Sequence, residues 1–63
     1  MFRMIEVVES SDAGFSEAAK KAVQKLMDKG EKVHFFEVVE QRGAVRDGAF
    51  KEFQVIIRVA VEG

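Results

Sequence analysis

Few side chains in this chain have the types and spacing that chemistry requires. His34 is the sole imidazole, and there is no cysteine. That removes thiolate nucleophiles, disulfides and thiolate metal sites, and one histidine cannot build a zinc site unaided. Ser10, Ser11 and Ser16 fall where a helix should begin, so they read as cap and helix-surface residues. His34 flanks an aromatic pair in a strand-like run, and it reads as a partly exposed strand residue rather than a catalytic base. No glycine-rich phosphate loop occurs; Gly43 and Gly48 read as bulge and turn. Glu37 and Glu40 stand three apart on a strand, which by alternation puts them on opposite faces. Glu6, Glu9 or Glu40 could hold Ca²⁺ or Mg²⁺, which take oxygen ligands, only if symmetry brought copies together. The expectation is a non-enzymatic protein with no catalytic residue and no metal-ligand set of its own. What stands out instead is an adjacent aromatic pair, Phe35 and Phe36, followed by the tetrad Glu40-Gln41-Arg42-Gly43.

Those residues lie in Lys32 to Arg46, the longest strand-like run, expected as a strand over 31–45. Period-2 geometry sends Phe35 and Phe36 to opposite faces, so both faces should be covered. Gly43 suggests a bulge or bend within the strand. Arg46-Asp47-Gly48-Ala49 is a hairpin signal, with Asp-Gly at its centre. The return strand, Phe50 to Val61, alternates strictly: Phe53, Val55, Ile57, Val59 and Val61 make one apolar face. The other face, Phe50, Glu52, Gln54, Ile56, Arg58 and Ala60, is mixed.

Upstream, Phe2 to Glu9 reads as a strand, and Ser10 to Gly14 as a turn-and-cap segment. Gly14 is the expected N-cap, with Glu17 placed to reach back to it and Ser11 and Asp12 as rival caps. Phe15, Ala18, Ala19, Ala22, Val23, Leu26 and Met27 then follow helical spacing, which predicts a helix over 15–29 ended by Gly30. Its three central alanines allow close approach to a sheet. The lysine-rich opposite face is interrupted by Glu17 and Asp28, and reads as a solvated surface. The order is β-α-β-β: an α+β fold with one helix on a three-stranded antiparallel sheet, in a single domain over 1–63.

One helix covers only one face of such a sheet. A chain of 63 residues buries only about 60% of its unfolded surface and is marginal alone. With 48% hydrophobic residues and no cysteine, the expected remedy is self-assembly through the uncovered sheet face. Glu37, Glu40, Arg42, Glu52 and Arg58 would frame that interface. A net charge of −1 with interspersed signs gives no footprint for nucleic acid. No apolar run approaches a membrane span, and the first residues lack a secretory layout, so the cytoplasm is the expected compartment.

The block Phe36-Glu37-Val38-Val39-Glu40-Gln41-Arg42-Gly43, the Asp47-Gly48 turn and Phe53-Gln54-Val55 closely resemble the dodecin family. Met4-Ile5-Glu6-Val7-Val8 and the helix length match too, so the resemblance runs over about residues 2–61. It implies a hollow homododecamer with helices outside and sheets inward. It further implies flavin, such as riboflavin or FMN, held in pairs at two-fold-related intersubunit sites for storage or quenching. In the flavin-binding branch a tryptophan before the Phe-Glu-Val block stacks on the isoalloxazine ring, and a glutamine in the last strand bonds its polar edge. These roles fall on Phe35 and Gln54. The chain departs from the pattern in having no tryptophan, and phenylalanine offers a smaller stacking face. A branch without that tryptophan is associated with calcium, which makes calcium the alternative ligand.

Overall fold

The strands form where β-branched and aromatic residues dominate, and the helix where apolar residues recur every three or four. The computed structural model describes residues 1–63, with β1 at Phe2–Ser11, α1 at Phe15–Asp28, β2 at Val33–Arg46 and β3 at Ala49–Glu62. All pairings are antiparallel and the strand order is β1-β3-β2. The expected α+β arrangement is therefore present. β3 is the central strand, which suits its strict alternation.

α1 starts at Gly14, whose carbonyl accepts from the Ala18 amide at 3.0 Å. No side chain caps it, so the expected reach of Glu17 back to Gly14 is not made. Ser10 and Ser11 belong to β1 instead, and the Ser11 hydroxyl accepts from the Ala13 amide at 3.0 Å to tighten the turn. The far end closes as a Schellman motif. The Gly30 amide donates to the Met27 carbonyl and the Glu31 amide to the Leu26 carbonyl, and Gly30 has φ 94°. Glycine is favoured there because a Cβ would strain the left-handed backbone. The Asp47-Gly48 turn also lies at positive φ, 52° and 76°, which matches the type I′ hairpin its sequence announces.

Val55, Ile57, Val59 and Val61 of β3 pack against Ala18, Ala19, Ala22, Val23 and Leu26 of α1, all buried. The small alanines bring the helix axis close, so the β-branched side chains fill the space between. Phe15 meets Phe53 edge-on at 5.1 Å, and Phe50 stacks on Phe53 at 6.1 Å. Phe50 thus lies on the helix side, contrary to simple alternation. A register shift between Ala44 and Val45 pairs Val45 with Phe50 and leaves Lys51 as an extra residue.

A second shift, between Val38 and Glu40, leaves Val39 unpaired in β2. Gly43 itself pairs regularly with Phe53, so the bulges flank it and do not fall on it. The bulge at Val39 corrects the expectation for the carboxylates: Glu37 pairs with Arg58 and Glu40 with Ile56. Arg58 and Ile56 are two apart on β3, hence both glutamates share the helix-free face.

Candidate functional site

The ladder defines two faces of the sheet. Gln54, Ile56, Arg58 and Ala60 of β3 lie on the side away from α1, with Met4, Glu6, Val8 and Ser10 of β1 opposite Ala60, Arg58, Ile56 and Gln54. From β2, Phe35, Glu37, Glu40 and Arg42 join the same face. One end is apolar, a charged row crosses the middle, and a polar row lies nearer the hairpin.

Phe35 stands at the apolar end, opposite Ala60 and 49% exposed. Next along is the row Glu6, Arg58 and Glu37, in which Arg58 reaches Glu37 at 3.4 Å. Gln54 lies in the polar row between Ser10 and Arg42. Its amide takes no part in the side-chain hydrogen bonds of the chain, and Arg42 joins no ion pair. Both are unpaired within the chain.

The structure does not bring Phe35 and Gln54 together within one chain. Ala60, the partner of Phe35, is six residues from Gln54 along β3, or about 20 Å at strand rise. Both residues share a face, so a second copy placed against that face could join them.

Sequence reasoning missed Phe2. Its ring meets Phe35 edge-on, with centroids 5.7 Å apart and planes at 84°. It also lies 4.7 Å from the ring of His34. His34 Nε2–H donates to Glu62 Oε1 at 2.8 Å. That bond, with help from the N-terminal ammonium, holds the Glu62 carboxyl below its ordinary range. Nothing in the linear sequence signals the Phe2–Phe35 meeting, because β3 lies between the two strands that carry them.

The acidic residues also separate. Glu9 is on the helix side, where Lys25 Nζ reaches it at 2.7 Å and Lys21 at 4.0 Å. The Lys25 hydrogen bond, chiefly, lowers its carboxyl below the ordinary value. Glu9 thus lies on the opposite face of the sheet from Glu6 and Glu40. No three histidine or acidic side chains come together in the chain.

β2 is only partly covered on the helix side. Phe36 and Val38 remain 44% and 47% exposed, and with Phe15, Ala19 and Lys20 they line a groove of about 230 Å³. The expected cover of both faces of β2 is therefore incomplete in a lone chain. No helix is long and apolar enough to cross a membrane.

Residues 1–62 match the family model described as Dodecin. The dodecin of Thermus thermophilus is 29% identical over 59 residues, covering 94% of this chain and 86% of that protein. The structure of dodecin from Streptomyces coelicolor is 31% identical, with TM-score 0.88, covering 97% of this chain and 87% of that one. The calcium dodecin of Mycobacterium tuberculosis, a calcium-chelating antigen, is 22% identical, with TM-score 0.84, covering 100% and 90%. At that identity the likeness is one of fold. With 1–62 matched, the resemblance first seen in the Phe36–Gly43 block is a family relationship: the chain belongs to the dodecin family.

Proposed function

We propose that this chain is a non-enzymatic flavin-storage protein that sequesters riboflavin or FMN at sites between copies of a homododecamer, in the cytoplasm. The observation that carries the reading is the placement of Phe35. A half-exposed aromatic ring stands on the helix-free sheet face with apolar neighbours Met4 and Ala60. A flat aromatic ligand is the natural partner for such a ring. Gln54 on the same face offers an amide not engaged within the chain, suited to the polar edge of an isoalloxazine. Their separation within one chain supports an intersubunit site, with Phe35 of one copy and Gln54 of another. Exposed Phe36, Val38, Val45 and Phe50 give copies further apolar surface on which to assemble.

In this reading the flavin is cargo, and the ring system brings its absorbance and fluorescence with it. The chain's own residues stack on it, bond its edge and exclude water. The calcium alternative draws support from the Mycobacterium tuberculosis relative. Within one chain no three acidic or histidine side chains come together, so a calcium site would draw its carboxylates from several copies.

Titration of flavin-free protein with riboflavin and with FMN tests the reading. Flavin fluorescence should fall on binding, with heat evolved in calorimetry. Silence from both flavins at micromolar protein and ligand sinks the proposal. A thermal shift with Ca²⁺ and none with flavin favours the alternative.

A further inference from the structure

Ala60 is fully buried although it lies on the face that no helix covers, and it is not part of the helix-facing core. Its ladder partners are Met4 on β1 and Phe35 on β2. Over this part of β3 the ring of Phe2 reaches Phe35, in the perpendicular contact at 5.7 Å. The two rings come from strands that are not neighbours. Phe2 pairs with Glu62, two residues along β3 from Ala60, and its ring reaches diagonally toward Phe35 past a side chain that is only a methyl. A leucine or valine at position 60 would put branched carbons where the rings converge. Phe2 is in turn backed by His34, whose ring is tilted 44° to it, and His34 is tied to Glu62 at the end of β3.

From this arrangement we infer that Phe2 is the positioning residue for Phe35. It sets the orientation of the Phe35 ring that a flat ligand meets. This rests on the flavin reading of Phe35 and deepens it. A phenylalanine facing Ala60 alone would have free space on its sheet side and would turn about its side-chain bonds. A perpendicular aromatic neighbour removes that freedom whichever ring supplies the edge, since turning either one breaks the contact. Order fixed before binding is not lost on binding, so affinity rises without any direct contact between Phe2 and the ligand. Phe35 lacks the area of an indole, and a preset orientation offsets part of that difference.

The test uses the full-length assembled protein with Phe2→Leu, Phe35→Leu and Ala60→Val. Phe2→Leu keeps apolar bulk in an exposed strand position, so it should melt close to the parent. Riboflavin titration should show a dissociation constant raised roughly threefold to tenfold by Phe2→Leu, and by Ala60→Val, which parts the rings while keeping both. Phe2→Tyr should restore near-parent affinity. Without ligand, the ring-proton chemical shifts of Phe35 should move in Phe2→Leu, as the ring current of its neighbour is lost. Binding abolished by Phe35→Leu but unchanged by Phe2→Leu, with Phe35 shifts also unchanged, overturns the positioning role and leaves the flavin reading standing. No flavin bound to any protein, parent included, overturns the flavin reading and this inference with it.

Discussion

Phe35 and Gln54 face the same side of the sheet, yet the ladder holds them six β3 residues apart. No rotamer change closes a gap of about 20 Å. If both serve one ligand, each ligand is shared between copies, and the two residues must behave as halves of a divided site.

Complementation should reveal that division. Phe35→Leu and Gln54→Leu, each alone, should bind riboflavin weakly. Co-refolded in equal amounts, they should regain about a quarter of the parent sites, because random assortment pairs an intact Phe35 with an intact Gln54 that often. Stoichiometry from fluorescence titration reads this directly. Recovery no better than the average of the two variants would place both residues in one chain's site, or in none.

Phe35→Trp should tighten riboflavin binding. The indole brings a larger face, and aromatic pairs contribute about 0.5–1.5 kcal/mol beyond burial. A fewfold to tenfold drop in dissociation constant is expected, with deeper quenching of flavin fluorescence. Unchanged affinity and quenching would mean that position 35 does not stack on the ligand.

The Glu9–Lys25 pair should shape acid stability. Folding lowers the Glu9 carboxyl, chiefly through the Lys25 hydrogen bond. The pair's contribution is therefore complete above the unfolded carboxyl's range. It is lost as pH falls through the lower, folded value, since the unfolded state then binds the proton first. Lys25→Met keeps the aliphatic stem and removes the charge, and should cost about 1 kcal/mol at neutral pH. Urea melts at neutral and acid pH should show the gap between parent and variant shrinking as pH falls. A constant gap would assign the loss to packing.

The tip of the hairpin should matter to assembly more than to the fold of the chain. β1 pairing ends with Ser11 opposite Phe53, so Ala49–Glu52 pair with β2 alone in a two-stranded ribbon. Such ribbons are marginal in water, and here Phe50 is 79% exposed with Val45 beside it. Phe50→Asp should leave far-ultraviolet circular dichroism unchanged while light scattering shows a smaller species. An unaltered assembly would place the interfaces elsewhere.

The sequence by itself determined the helix, whose apolar stripe needs only 3.6-residue spacing, and the hairpin, whose Asp47-Gly48 pair suits positive φ. It determined which face of β3 meets the helix, because that strand alternates without a bulge from Phe53 to Val61. It also carried the family, in the Phe36–Gly43 block. All these signals are local, set by residues close along the chain.

Tertiary structure decided what depends on register and on strands distant in sequence. One extra residue at Val39 moved Glu40 to the face of Glu37, and one at Lys51 turned Phe50 toward Phe53. A bulge inverts a period-2 reading downstream of it, and its position follows from pairing energetics along the whole ladder. The strand order, with β3 in the centre, set Phe2 against Phe35 across the small Ala60. It left Gln54 far along the same face, free within the chain. Glu9 was drawn to the helix because β1 happens to carry it on the α1 side, next to Lys25. The aromatic at position 35 was legible from the start; the ring that orients it was not, since that contact exists only once three strands are paired.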